Sequence, residues 1–132
     1  MVKRKGPMHQ RFEGSKQDGP FVKVTREMMA SAAWRDLNLR QRGLYLTIKA
    51  KYTQKVIHGT VEHSNRDNIS FTKREGLEDY GDYRTFQHDM QTLITHGFIR
   101  LIESGYRLRT CNIYGLTDAW VAWRPEKPPT RL

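Results

Sequence analysis

Residues 72–105, TKREGLEDYGDYRTFQHDMQTLITHGFIRLIESG, decide the fold. Thr72 followed three residues later by Glu75 is a capping-box pattern, which predicts that a helix begins here. Gly81 ends this helix, and Asp82 can cap a second one because its carboxylate accepts bonds from backbone N–H groups. The second helix has an apolar face at helical spacing, made of Phe86, Met90, Leu93 and Ile94.

A β-hairpin is predicted directly after the second helix. Gly97 stands at the C-terminal stop of that helix, and residues 98–102 form an apolar run that is typical of a strand. In this strand Ile99 and Leu101 are predicted to face the core, and Arg100 to face the opposite side. Residues 103–105 (Glu-Ser-Gly) predict a turn, and residues 106–114 predict a second strand. The order is therefore helix, glycine turn, helix and β-hairpin.

The residues before this stretch predict further helices and short strands. Residues 21–24 alternate in polarity as a strand does, and Thr25 can cap a brief helix. Asn38 can cap a longer helix with a basic exposed surface. Residues 53–68 are the least regular part and are compatible with an extra hairpin, and residues 69–71 predict a minimal strand. The apolar stripe of the longer helix is Leu37, Leu44, Ile48 and Tyr52, widened by Tyr45.

Together these elements predict an α+β fold, the winged helix-turn-helix, with three main helices and a β-hairpin wing. With 132 residues the chain can form one compact domain, which we place at residues 21–124. Residues 1–20 contain two Gly-Pro pairs and little apolar material, so they predict a flexible basic arm. Residues 125–132 predict a disordered tail.

The charge of the chain favours a polyanionic partner. Lysine and arginine number 23 against 14 aspartates and glutamates, which gives a net charge of +9. DNA, RNA or an anionic membrane surface would be attracted by such a charge. Cys111 is the only cysteine, which excludes an intrachain disulfide and fits a reducing compartment. No apolar run is long enough for a membrane span or a secretory signal, so we expect a cytoplasmic protein.

Three motifs carry a resemblance to a known family: Ser31-x-x-Trp34, Leu93-Ile94-x-x-Gly97-Phe98-Ile99, and Tyr114-x-Leu116-x-Asp118-x-Trp120. Between Phe21 and Trp120 the sequence resembles the winged helix-turn-helix domains of bacterial plasmid, phage and conjugative-element proteins. That group includes replication initiators, small regulators and transfer-origin accessory proteins. The resemblance implies a non-enzymatic protein that binds double-stranded DNA in transcription control, replication initiation or transfer-origin recognition.

Three groups of residues are candidate DNA contacts. In helix-turn-helix domains the second helix enters the major groove, where arginine can bond guanine and glutamine can bond adenine. Arginines two residues apart on a strand share a face and can hold phosphates, and basic arms often follow a DNA groove. The candidates on the second helix are Tyr83, Arg84, Thr85, Gln87, His88 and Gln91. Those on the wing are Arg100, Tyr106, Arg107 and Arg109. Those on the arm and at the start of the first helix of the pair are Lys3, Arg4, Lys5, Arg11, Lys16, Thr72 and Lys73.

The charge of the helix pair conflicts with a simple docking mode. Residues 73–97 carry three basic and five acidic side chains, a net charge of −2, whereas residues 98–115 have a net charge of +2. An element that faces phosphates should not be acidic, because phosphate contacts supply much of the binding free energy. Either the acids lie away from the DNA, with Asp82 and Glu75 used as caps, or the wing and the arm make the main contact.

Enzymatic alternatives have less support. His58 and His63 could bind a metal together with Cys111 or His96, but the histidine pair lies in a predicted loop. A single cysteine in a strand is more often a small buried apolar residue than a nucleophile. The glycines are isolated and form no phosphate-binding loop. We therefore expect no catalytic residue, no cofactor and no metal site.

An RNA-binding protein and a winged-helix protein–protein interaction module remain as alternatives. Trp120 and Trp123 could stack on unpaired bases. Packing of this segment against the first helix, or a homodimer formed through it, is the favoured interpretation. A replication or relaxosome protein is a further candidate partner.

Overall fold

The computed structural model describes residues 21–105 and 111–126, which form a mixed α+β fold. The helices in this part of the chain are α1 (Arg26–Ala30), α2 (Ala32–Asp36), α3 (Leu39–Lys49), α4 (Lys73–Tyr80) and α5 (Tyr83–Thr95). The strands are β1 (Gln54–Ile57), β2 (Thr60–Ser64), β3 (Ile69–Ser70), β4 (Ile99–Glu103) and β5 (Ile113–Leu116), and a turn of 3-10 helix spans Ala119–Val121.

Four of the five described helices begin where the sequence predicts them to begin, and α2, which Ser31 caps, is a separate helix that the sequence did not predict. Thr25, Asn38, Thr72 and Asp82 each accept a hydrogen bond from a backbone N–H of the first turn, so all four predicted N-caps are confirmed. Both Asn38 and Thr72 form complete capping boxes, in which the residue three positions later bonds back to the cap. These caps satisfy N–H groups that have no partner within the helix.

Two glycines end the helix pair as predicted. Gly81 has a φ of 66° and closes α4, and Gly97 has a φ of 85° just after α5. Such left-handed conformations strain any residue with a Cβ atom. At Gly97 a Cβ would also lie 2.6 Å from Ala119 C and Trp120 N. This glycine is therefore required both by the turn and by the close approach of the 3-10 helix.

Two separate antiparallel sheets are present in the described residues. The larger has the strand order β3-β5-β4, with Leu101 of β4 opposite Tyr114 of β5 and Arg100 opposite Gly115. The smaller is the β1–β2 hairpin, which confirms the extra hairpin expected within residues 53–68.

Aromatic rings form the centre of the core. Trp34, Tyr45 and Phe98 contact one another with ring centroids 5.3–5.9 Å apart. Trp120 stacks on the other side of Phe98 with a centroid distance of 6.3 Å. A second group joins Phe71 of the strand-to-helix junction with α4 and α5. The core residues are Met28, Ala33, Trp34, Leu37, Leu44, Tyr45, Ile48, Ile69, Phe71, Phe86, Met90, Leu93, Phe98, Ile99, Tyr114 and Trp120.

Three predictions about strands are wrong. Residues 21–24 form no strand, because no described element pairs with them and a strand needs a neighbour for its backbone groups. Of the second strand predicted at residues 106–114, residues 111–112 form no strand, residues 113–114 are confirmed as part of the strand Ile113–Leu116, and residues 106–110 lie outside the described part. Leu101, expected to face the core, is 46% exposed.

A buried carboxylate joins α3 to α5. Asp89 of α5 has no solvent exposure and accepts hydrogen bonds from Arg40 Nε at 2.5 Å, Arg40 Nη2 at 3.1 Å and Gln41 Nε2 at 3.0 Å. The other end of the Gln41 amide accepts the backbone N–H of Asn38 at 3.0 Å. One glutamine thus closes the first turn of α3 and also holds α5 against it.

Replacing Asp89 by alanine should lower the free energy of unfolding by about 2–4 kcal/mol, because Gln41 loses a buried acceptor and Arg40 loses its ion pair. Denaturant titration followed by circular dichroism measures the change. Glu78→Ala is the matched control, since Glu78 is an exposed acid on the neighbouring helix, and it should change stability by less than about 0.5 kcal/mol. Equal losses in the two variants would contradict the structural role of Asp89.

Candidate functional site

The exposed face of α5 and the first turns of α4 and α5 form one surface, which we call the α4–α5 face. Arg84, Gln87, His88 and Gln91 are exposed on it, and Tyr83 is 40% exposed. Five of the six residues predicted on this helix are therefore available to a partner. Thr85, the sixth, is half-buried, and its hydroxyl donates to the capping carboxylate of Asp82 at 2.6 Å.

Three cations on the α4–α5 face form no ion pair with any described residue. Lys73 and Arg74 lie in the first turn of α4, Arg84 lies in the first turn of α5, and all three side chains are exposed. Lys73 Nζ lies 4.0 Å from the centroid of the Tyr83 ring, an attractive cation–π contact that leaves the charge unneutralised. Arg74 was not among the predicted contacts. Its position two residues after the Thr72 cap, in the first turn of the predicted helix, is the signal that could have found it.

Most acidic side chains of the same helices form hydrogen bonds or ion pairs with other residues of the chain. Glu75 forms an ion pair with Lys51 and bonds the Thr72 backbone. Asp82 accepts the Arg84 N–H at 3.1 Å, and Asp89 is buried against Arg40. The formal charge of −2 over residues 73–97 therefore overstates the negative charge that this face presents. Glu78 is exposed, and the side chain of Asp79 lies outside the described atoms.

The hydrogen bonds of these acids keep them ionised. The bond from Lys51 lowers the pKa of Glu75, with the Thr72 backbone as a further cause. The Thr85 hydroxyl and then the Arg84 N–H lower the pKa of Asp82. Burial raises the pKa of Asp89, but the hydrogen bonds it accepts, from Arg40 above all, outweigh burial and leave that pKa below its ordinary value. At neutral pH these carboxylates are anions with partners inside the fold.

Arg100 lies on a different surface from α5. Its guanidinium bonds Asp67 Oδ1 at 3.0 Å, and a Cβ on the opposing Gly115 would meet both Asp67 and Ile102. Successive side chains of a strand point to opposite faces. Leu101 lies on the side of the sheet that faces α5, so Arg100 lies on the other side. The structure does not bring Arg100 to the α4–α5 face.

Of the remaining predicted contacts, the structure describes Thr72, and the others lie outside the described residues. Thr72 uses its hydroxyl as the α4 cap, so it positions Lys73 rather than facing a partner. The residues of the arm and of the wing tip lie outside the described part of the chain, and their contacts stay predictions. They are Lys3, Arg4, Lys5, Arg11, Lys16, Tyr106, Arg107 and Arg109.

A groove of about 570 Å³ runs between the α4–α5 face and the sheet; we call it the helix–sheet groove. Its floor is apolar and contains Phe71, Met90 and Tyr114. Asn112 lies at its sheet side, where Oδ1 accepts the Gly105 N–H at 2.9 Å and Nδ2 donates to the Tyr114 hydroxyl at 3.2 Å. The groove connects directly with the base-contact candidates, because Gln87 and Gln91 line its other side.

The C-terminal tryptophans pack within the chain. Trp120 is only 7% exposed, so its ring is not free to stack on an unpaired base. Trp123 is half-buried and stacks on His96 with a centroid distance of 4.2 Å. His96 Nε2 lies 2.7 Å from Asp36 Oδ2, which ties the end of α5 to α2. A homodimer through this segment stays a prediction.

Searches for other kinds of site give the following results. In residues 21–105 and 111–126 no group of three or more histidine, cysteine, aspartate or glutamate side chains is arranged to hold a metal ion. In the same residues no helix has the length and apolar character needed to cross a bilayer.

Comparison of the chain with protein-family models, curated protein sequences and solved structures gave no match.

The lowered pKa of Asp89 predicts a contribution to acid unfolding. Its folded-state pKa lies below the ordinary value of 3.8, so the ionised form stabilises the fold fully above that value and loses this effect as the pH falls through the folded-state pKa. Thermal melts should show a constant advantage of the wild type over Asp89→Asn near neutrality, and a shrinking one below about pH 4. The same comparison with Glu78→Gln should show no such trend. An Asp89→Asn difference that persists unchanged into acid would contradict this assignment.

Proposed function

We propose that the protein is a non-enzymatic winged helix-turn-helix protein that binds double-stranded DNA through the α4–α5 face. The observation that carries the proposal is the combination of three cations that form no ion pair with the described residues, Lys73, Arg74 and Arg84, with the exposed amides of Gln87 and Gln91. The cations suit phosphates, and arginine and glutamine suit base edges in the major groove.

The order of the elements supports this fold assignment. A longer helix, α3, precedes the short strand β3, and the pair α4–α5 is followed by β4 and β5. The strands pair in the order β3-β5-β4, so β4 and β5 form an antiparallel pair directly after the helix pair, as the two strands of a wing do. In helix-turn-helix proteins that second helix carries the base contacts.

The side chains of this surface would make two kinds of contact, with bases and with phosphates. Arg84, exposed in the first turn of α5, is placed to bond guanine, and Gln87 and Gln91 one and two turns further along are placed to bond adenine. Lys73 and Arg74 on the adjoining helix α4 would contact phosphates at the edge of the DNA major groove that α5 enters. Contacts of this second kind fix the position of a protein on DNA without selecting a sequence.

The biological role we propose is the one implied by the family resemblance. The protein would act in a mobile genetic element, in transcription control, replication initiation or transfer-origin recognition, with a replication or relaxosome protein as a candidate partner. These roles share one fold, and the fold does not decide between them. The DNA positions protected by the purified protein on its own element would identify a promoter, a replication origin or a transfer origin.

Salt dependence tests the class of ligand. Affinity for duplex DNA should fall steeply with salt, because cations that contact phosphates release condensed counterions. Fluorescence anisotropy with a labelled duplex at several salt concentrations measures the slope, and unlabelled single-stranded RNA serves as the competitor. RNA that competes as well as duplex DNA at every salt would replace the proposal by RNA binding. A lack of binding to either nucleic acid at low salt would favour a protein-interaction module.

Matched arginine variants test the docking surface. Arg74→Ala should lower the salt slope by about one unit, and Arg84→Ala, on a duplex that contains the protein's own site, should relax discrimination at one base position by about 1–3 kcal/mol. Arg35→Ala is the control, because Arg35 is an exposed arginine on α2, away from the α4–α5 face, and it should leave both quantities unchanged.

The same assay compares the helix with the wing. If the wing dominates, the double variant Arg107→Ala and Arg109→Ala should cost more affinity than Arg84→Ala. The free cations of the α4–α5 face make us expect the opposite order. A larger loss in the wing variant would overturn the helix-led docking mode, provided that both variants retain the wild-type melting temperature.

A further inference from the structure

The helix–sheet groove has a lining that fits a nucleobase better than a phosphate. Its floor is apolar: Phe71, Met90 and Tyr114 lie buried beneath it, and the apolar surface open to a ligand comes from Leu101 and Tyr83, which are 46% and 40% exposed, and from half-buried Ile94. A phosphodiester placed against such a floor would lose hydration without gaining hydrogen bonds. The face of a base has the opposite preference, because it gains by stacking against aromatic and apolar side chains.

The polar groups around the floor match the edge of a base. Gln87 and Gln91 line the groove from the helix side, and Asn112 lines it from the sheet side. Each amide offers both a donor and an acceptor, as the edge of a nucleobase does. The Asn112 amide is oriented by its bonds to Gly105 and Tyr114, and each bond uses only one of its two lone pairs or two N–H groups.

Charge and size complete the match to one nucleotide. Lys73 and Arg74 line the groove at the start of α4, where the phosphates on either side of a bound base could reach them. Tyr83, with Lys73 on one face of its ring, is an exposed aromatic side chain at the same place. The volume of about 570 Å³ falls within the range of about 300–1,000 Å³ that is usual for small-ligand sites.

A base within an intact duplex cannot use such a groove, because both of its faces are covered by its neighbours in the stack. A nucleotide must be extruded first, and this costs least free energy where the nucleotide is already unpaired. We therefore propose that the helix–sheet groove binds one unpaired nucleotide of a DNA strand, so that the protein prefers duplexes with a locally unpaired position to continuous duplexes. This inference rests on the proposed DNA-binding function.

Three duplexes of the same sequence test the preference. One is fully paired, one contains a single unpaired thymidine, and one contains an unpaired abasic nucleotide at the same position. The thymidine duplex should bind about tenfold more tightly than the paired one, the gain expected from stacking of one base. The abasic duplex has the same added flexibility but no base, so its affinity should resemble that of the paired duplex.

Two aspartate variants on one strand locate the effect. Leu101 and Ile102 are 46% and 40% exposed, so neither change should unfold the protein, and a thermal melt verifies this. Leu101→Asp places a charge in the groove and should abolish the preference for the thymidine duplex. Ile102→Asp places the same charge on the other face of β4, beside Gly115, and should keep the preference. Any general electrostatic effect is shared by both variants and cancels in the ratio of affinities.

The outcomes separate this inference from the proposed function. Binding of all three duplexes with equal affinity would overturn the inference and leave duplex binding intact, whereas the absence of binding to any of them would refute the proposed function. An equal gain for the abasic duplex would overturn the inference in favour of recognition of flexible DNA. Free thymidine 5′-monophosphate that removes the gain at micromolar concentration would overturn it in favour of a free nucleotide effector.

Discussion

The buried carboxylate of Asp89 fixes the position of the helix on which the proposed function depends. A charge in the interior is tolerated only with partners, and here both partners come from the first turn of α3. Rotation of α5 about its axis would separate Asp89 from these donors, so the carboxylate selects one face of α5 for the core. The opposite face, with Arg84, Gln87 and Gln91, is thereby directed to solvent.

Local capping and surface charge are coupled in the helix pair. Two acids support the first turns: Glu75 accepts the Thr72 N–H and forms an ion pair with Lys51, and Asp82 accepts the Arg84 N–H. The cations of the same turns have no such role and remain without ion pairs in the described chain. The stretch with a formal charge of −2 therefore presents less negative charge than its formal count, because Glu75 and Asp89 are paired with Lys51 and Arg40, whereas Asp82 bonds neutral donors and keeps its charge at the surface.

Features set by neighbouring residues could be predicted from the sequence, and features set by distant ones could not. The four N-caps and the turns at Gly81 and Gly97 follow local rules, and all of them are confirmed. The burial of Asp89 depends on donors 48 and 49 residues away, and its sequence neighbours, His88 and Met90, give no sign of it. Arg100 likewise meets Asp67 across 33 residues, so its removal from the candidate surface depends on the tertiary fold.

The mistaken prediction for Leu101 has the same origin and explains why a groove exists. Alternation along β4 correctly places Leu101 on the side of the sheet that faces α5, but only packing determines how closely the helix approaches. Asp89 holds the middle of α5 against α3, and Gly97 and His96 hold its end against the 3-10 helix and α2. Because α5 is held in this way by α3 in its middle and by the 3-10 helix and α2 at its end, the side of α5 that faces the sheet needs no close contact with the three short strands. The space between α5 and the sheet has a floor of apolar core residues and sides of polar surface residues, and the proposed nucleotide site needs both.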